Sequence, residues 1–183
     1  LGKNNSESTQ KPFTDEEIKL LWDNVDRLDY IDTILIMIYS GLRPSELIKI
    51  KTKNVDIENT IMRGGIKTSA GKNRLIPINH KILPFVKNRL KLAKESEYLI
   101  PNNDGKQMSY FTYYDCKFKP IMEQLQLNHK PHECRHTFAT LMDNAGANKV
   151  CIQRIMGHAS KDVTDKVYTH KDVNELKKAI ELI

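Results

Sequence analysis

Four short stretches of this 183-residue chain gather residue types that bind phosphate or move protons. The first is Gly41-Leu42-Arg43-Pro44-Ser45-Glu46-Leu47, where an arginine stands at a tight break between two apolar segments. Alone, Arg43 reads as an exposed arginine or as a helix-capping ion pair with Glu46. The second is the basic turn Ile66-Lys67-Thr68-Ser69-Ala70-Gly71-Lys72-Asn73-Arg74. Such a turn is an ordinary solvated face, or a hairpin tip that carries a lysine to a DNA groove or a phosphate. The third is His132-Glu133-Cys134-Arg135-His136-Thr137-Phe138-Ala139-Thr140-Leu141-Met142. At helical spacing, His132, Arg135, His136 and Ala139 share one stripe, and Cys134, Phe138, Leu141 and Ala145 share the opposite one. The apolar stripe holds the helix in a core, and the other presents two histidines and an arginine to an anionic substrate. The fourth is Ile155-Met156-Gly157-His158, followed by Tyr168-Thr169-His170. Gly157 has the character of a helix-terminating glycine with His158 just beyond it. A lone tyrosine such as Tyr168 is ordinarily a half-buried packing residue.

The third stretch also matches H-E-x-x-H, the zinc-peptidase pattern, with His132 and His136 as ligands and Glu133 as general base. Against that reading, Ala139 and Met142 stand where an extended H-x-x-G-x-x-H continuation would need its glycine and histidine. Arg135 places a positive charge beside the would-be ligands, and Pro131 sets His132 at the start of the helix rather than within it. A zinc metallopeptidase is kept as an alternative.

Composition narrows the partners. The net charge is +6 and the pI about 9.1, which leans toward a polyanion but also fits a solvated basic surface. No apolar run approaches the ~20 residues of a membrane helix, and no signal peptide is visible. Cys116, Cys134 and Cys151 lie in apolar-looking segments without disulfide-like spacing, which points to a reduced, cytoplasmic setting. The Lys, Asn and Ile content fits an AT-rich bacterial or phage genome.

The elements that must position these residues are mostly helices. Residues 1–12 are polar and read as a linker or disordered lead-in. Thr14 with Glu17 forms a capping-box pattern, opening a helix with Ile18, Leu21, Trp22 and Val25 on its apolar face. A buried helix spans Tyr30 to Tyr39 and ends at Gly41, and Pro44 opens a short one. Strands are expected at 55–57, 60–62 and 74–78, forming a small antiparallel sheet. Further helices are expected at 80–92, with Asn79 as N-cap, and at 109–125, 132–145, 149–156 and 171–182. The fold class is mainly α with a small antiparallel β-sheet (α+β).

Taken together and in order, these segments resemble the tyrosine recombinase (phage integrase) family from about Phe13 to His170. The resemblance rests on Arg43 in Gly-Leu-Arg-Pro-Ser-Glu-Leu, Lys67 in the hairpin, and His132 and Arg135 in His-x-x-Arg-His. It is completed by His158 in Met-Gly-His and Tyr168 in Tyr-Thr-His. Lys72 competes with Lys67 as the hairpin lysine. Cys134 replaces a common leucine, and the stretch from His158 to Tyr168 is about one residue longer than usual.

The resemblance implies a tyrosine recombinase catalytic-domain fold over 13–170, with a C-terminal tail helix over 171–183. The implied function is site-specific DNA recombination through a covalent 3′-phosphotyrosyl intermediate, serving integration or excision of a phage or mobile element. Arg43, Lys67, His132, Arg135, His158 and Tyr168 are the implied catalytic residues. Glu46 and His136 are expected to orient the arginines and His132. No metal or cofactor is implied. The implied partners are double-stranded DNA and further recombinase protomers in a tetrameric synapse, with no membrane, in the cytoplasm of a bacterial host cell. The alternatives beyond the peptidase are a DNA-binding module that has lost catalysis and a type IB topoisomerase. Leu1 is not a methionine, so a catalytic fragment lacking an N-terminal DNA-binding domain is expected. The tail helix is amphipathic and fits packing on its own domain or on a neighbouring protomer.

Overall fold

The computed structural model describes residues 11–65, 73–158 and 169–183. Most of the expected lead-in, together with Lys67, Lys72 and Tyr168, therefore lies outside the described residues. The elements run α1 (Asp15–Asn24), α2 (Ile31–Ile38), α3 (Pro44–Leu47), β1 (Val55–Asp56), β2 (Ile61–Gly64), β3 (Arg74–Pro77), α4 (Leu83–Ala93) and α5 (Tyr110–Tyr113). A π-turn at Tyr114–Phe118 leads into α6 (Lys119–Gln124), followed by α7 (Glu133–Asn144), α8 (Lys149–Met156) and α9 (His170–Ile180). The expected class, mainly helical with one small sheet, is the observed one.

Helix α2 lies at the centre because every one of its side chains is apolar or paired. Ile34, Leu35, Ile36, Met37 and Ile38 are fully buried, each contributing roughly 1.5–3 kcal/mol of transfer free energy. Its one carboxylate, Asp32, meets Arg89 of α4 through two bonds of 2.6 and 2.5 Å. Helix α7 crosses α2 and buries Cys134, Thr137, Phe138 and Met142. The apolar stripe is thus centred on the 134-138-142 row. Ala145, expected on it, is the exposed C-cap, and Leu141 is only half-buried.

The chain turns back after α2 at Gly41, whose φ is +66°. A Cβ there would sit 2.6 Å from the ring of Phe138, so the turn can press against α7 only as glycine.

The sheet has the order β1-β2-β3, both pairs antiparallel, with Met62 opposite Ile76 and Gly64 opposite Arg74. Strand β2 begins at Ile61, one residue later than expected, because Thr60 takes a left-handed conformation to complete the turn from Asp56. Helix α4 starts at Leu83, not His80. Pro84 has no N–H to give and would crowd a carbonyl four residues back, so it is tolerated only in a first turn. Asn79 is not the N-cap. It accepts from the Lys81 N–H and donates to the carbonyls of Ile180 and Ile183. The run 109–125 is continuous, capped by Ser109. It widens to a π-turn just before Pro120, whose ring would otherwise meet the Cys116 carbonyl.

The N-terminal entry is stapled to α7. The Phe13 N–H donates to Thr137 Oγ1 at 2.9 Å, and the Phe13 ring stacks on His129 at 3.8 Å. Both His129 nitrogens face carboxylates, Glu133 at 2.7 Å and Glu17 at 3.0 Å. Glu17 also closes the expected capping box with Thr14. At the other end, α9 buries Leu176, Ala179 and Ile180 against β3 and α8 of its own domain. Cys134 and Cys151 are buried free thiols. Cys116 is exposed, although its surroundings in sequence looked apolar. Among the described residues, no helix is long and apolar enough to cross a membrane.

Candidate active site

The break after α2, the start of β3, the first turns of α7 and the end of α8 converge. Pro44 begins α3 and leaves Arg43 extended at its N-cap, so the arginine projects from the break. The Arg43 N–H and guanidinium both donate to Glu46, each at 2.9 Å. The ion pair that is the plainest expectation for Arg43 is therefore present. Arg43 remains partly exposed, with 20% of its side chain accessible.

Glu46 is 2% exposed and holds a second arginine. Arg74, the first residue of β3, is 1% exposed and donates to both Glu46 oxygens, at 2.9 and 2.8 Å. Burial raises the Glu46 carboxyl, but Arg74 and Arg43 outweigh it and hold the carboxyl below its ordinary range. The stability this gives is present above the ordinary carboxylate pKa and lost as pH falls through the lowered one.

Arg135 emerges from α7, 3% exposed, and bridges two backbone breaks. It donates to the Gly41 carbonyl at 2.6 Å and to the Met156 carbonyl at 2.7 Å. Burial, with the charges of Arg43 and Arg74, lowers its pKa to about 9. It stays charged at neutral pH, but its charge is electrostatically unrelieved. Three guanidinium groups share one carboxylate here, and an anion would satisfy the excess.

Two histidines flank the cluster. His132, the exposed N-cap of α7, is held below its ordinary pKa by desolvation, His136, Arg135 and Arg43. His158 follows Gly157, whose left-handed conformation ends α8 as expected. His158 is lowered by desolvation, Arg135, Arg43 and Arg74.

His136 packs its ring edge on His132, with centroids 5.4 Å apart. It makes no hydrogen bond to the arginines among the described residues, and its buried Nε2 has no partner among them. The structure thus brings together Arg43, Glu46, His132, Arg135 and His158, and places His136 beside His132 alone. Residues 66–72, with Lys67, connect paired β2 and β3. Tyr168 immediately precedes Thr169, the N-cap of α9, which is tied to α8 by Arg154 and Asp172 at 2.7 Å.

The zinc arrangement is not supported. Glu133 turns away from His132 and His136 and spends one oxygen on His129 and the Lys130 N–H. Among the described residues, no group of three or more His, Cys, Asp or Glu side chains is placed to hold a metal ion.

Arg74 was the residue whose role sequence reasoning missed. In the sequence it stands at the edge of a basic turn and reads as the first residue of a strand. The available signal was its position directly before the uninterrupted apolar run Leu75-Ile76-Pro77-Ile78.

The family model for the phage integrase family matches residues 11–175. The chain belongs to the phage integrase family. Its relatives include the tyrosine recombinase XerA of Pyrococcus horikoshii, 34% identical over 180 residues, 95% of this chain and 61% of the relative. The tyrosine recombinase XerD of Vibrio vulnificus is 26% identical over 181 residues, 91% of this chain and 58% of the relative. This integrase-family chain therefore spans about three fifths of the length of these curated relatives. Among solved structures, the Tn1549 transposon integrase in complex with transposon right end DNA superposes with a TM-score of 0.75. It is 25% identical, covering 86% of this chain and 61% of that one. The integrase from mycobacterium phage Brujita shares the fold, with a TM-score of 0.77 at 19% identity, covering all of this chain and 61% of that one.

Replacing Glu46 by alanine is expected to destabilise the domain by about 3–5 kcal/mol, because Arg74 then stays buried with no counter-charge. Thermal or denaturant unfolding checks this. A loss under about 1 kcal/mol, the scale of an exposed pair, would mean that the cluster does not depend on its carboxylate.

Proposed function

We propose that this chain is the catalytic domain of a site-specific DNA recombinase that cuts and rejoins DNA through a 3′-phosphotyrosyl intermediate. The observation that carries the reading is the excess positive charge where Arg43, Arg74 and Arg135 gather around the single carboxylate of Glu46, flanked by His132 and His158. The Tyr168 hydroxyl attacks a DNA phosphorus. Its proton passes to His132, and the phosphorus–O5′ bond breaks as Lys67 protonates the leaving oxygen. Arg43 and Arg135 hold the non-bridging oxygens, where negative charge builds. His158 donates a further hydrogen bond to the phosphate, and Glu46 orients Arg43. Rejoining reverses these steps, because the covalent link stores the bond energy and no nucleotide cofactor is needed. Double-stranded DNA is the substrate, and further protomers complete a tetrameric synapse in the host cytoplasm. The catalytic domain runs over 13–170, with 1–12 as the lead-in and 171–183 as the tail helix.

The test is a duplex nicked near the cleavage site, so that the short 5′-hydroxyl strand diffuses away and the adduct is trapped. An adduct resistant to detergent supports the reading. Salt-dependent DNA binding without any adduct would make the chain a binding module instead.

The pH dependence follows from His132, which must be neutral to accept the tyrosine proton. Its lowered pKa keeps it neutral further into acid than an ordinary histidine. Adduct formation at sub-saturating DNA, which reports groups of the free protein, is expected to hold level from about pH 6.5 until Arg135 begins to lose its proton near its pKa of about 9. On the acid side it should fall only below about pH 6.5. A rate that rises as pH drops from 7 to 5.5 would remove His132 from the role of base.

A further inference from the structure

The last carbonyls of an α-helix have no partner within the helix and must be met from outside. At the end of α8 each is accounted for. The Gln153 carbonyl takes the His158 N–H, and the Arg154 carbonyl takes that of Gly157. The Ile155 carbonyl takes Arg74 Nε at 2.7 Å, and the Met156 carbonyl takes Arg135. Cations at a helix C-terminus also meet its partial negative charge favourably. Arg74 thus has acceptors in two directions. Its two terminal nitrogens grip Glu46, which holds Arg43, and its Nε grips the turn that delivers His158. These partners lie 28 and 81 residues away in sequence, so no local element fixes their relative position.

We propose that Arg74 is a positioning residue for DNA cleavage, setting the register between Arg43 and His158 by bonding Glu46 and the Ile155 carbonyl at once. The task needs a guanidinium. Its planar fork addresses a carboxylate through two nitrogens while Nε points at a third acceptor, whereas a lysine places all its donors on one atom. Arg74 is itself fully buried, so its effect on the reaction passes through Arg43 and His158. The proposal rests on reading the site as one that cleaves DNA, and its test is built to separate the two.

The experiment uses Arg74→Lys in the full chain, with three readouts. Single-turnover adduct formation on the nicked duplex is expected to slow by about tenfold to 10²-fold, the range for small misplacements of reacting groups. DNA affinity is expected to stay within about threefold, because charge is retained and the phosphate backbone dominates binding. The third readout does not need activity. The His158 ring, assigned by its loss in His158→Gln, is titrated by NMR. Its midpoint, held low in the parent by desolvation and by Arg135, Arg43 and Arg74, is expected to move toward the ordinary value of about 6.5. A residue that only supports folding would lower the melting temperature and leave that midpoint in place. An unchanged His158 midpoint overturns the proposal whatever the rate does, and so does a rate within about twofold of the parent. Should the parent form no adduct, the cleavage reading fails, and the His158 titration alone decides the role of Arg74. Should Arg74→Lys not fold, Glu46→Gln breaks the same link from the other side at constant volume and is read by the same titration.

Discussion

Arg135→Lys is expected to slow DNA strand cleavage by roughly 10²–10³-fold, the scale for removing one donor that stabilises developing charge. The guanidinium is placed by two carbonyls, Gly41 and Met156, which engage separate terminal nitrogens. An arginine has five N–H donors, so donors remain after both carbonyls are served. They lie beside Arg43, in a cluster with more positive than negative charge. A lysine at this position keeps the charge but cannot hold two backbone breaks and a phosphate together. The loss should fall on the rate of adduct formation more than on DNA affinity, since an interaction strengthened in the transition state lowers the rate when removed. Single-turnover kinetics on the nicked duplex separate the two. A rate within about tenfold of the parent would show that another group carries the phosphate charge.

Tyr168→Phe is expected to abolish the covalent adduct while leaving DNA binding intact. The change removes one hydroxyl and keeps the ring, so any packing the ring makes is retained. A phenol with pKa about 10 is almost wholly protonated at neutral pH, and phenylalanine has no atom that can attack phosphorus. No other residue type at this position restores that chemistry without a new nucleophile. An adduct that persists in this variant would move the nucleophile elsewhere in the chain.

The catalytic candidates were legible in the sequence because chemistry restricts residue type more strongly than packing does. Arg43, His132, Arg135 and His158 are residue types that bind phosphate or move protons, and they stand in the order that the family resemblance requires. Their order and spacing carry the resemblance to the family without reference to geometry. The fold class was legible for a different reason. The capping box at Thr14 and Glu17 and the helix-ending Gly157 are local signals, and both are present.

What escaped the sequence depends on distant partners. Arg74 looked like one more cation in a basic turn, because its meaning lies in Glu46 and the Ile155 carbonyl, on other elements. Asn79 looked like an N-cap, yet its amide fastens the end of α9. Pro84 was a local signal that outranked it and fixes the start of α4. Glu133 completed a peptidase pattern on paper, but the fold turns it to His129. The expected link from His136 to the arginines has no counterpart among the described residues. A helical stripe says which side chains share a face but not which of them touch. The tail helix α9 carries the same apolar face whether it packs at home or on a neighbour, so only the three-dimensional structure shows Leu176 and Ile180 buried in their own domain.

The central claim is that Tyr168 becomes joined to DNA, and the most direct test locates that bond. The parent chain is incubated with a nicked duplex in the presence of EDTA, the adduct is digested, and the nucleotide-bearing peptide is sequenced by mass spectrometry. The account predicts a single modified residue, Tyr168, carrying a 3′-linked nucleotide, formed without a divalent metal. A nucleotide on any other residue, or one carried through a 5′-phosphate, would contradict it.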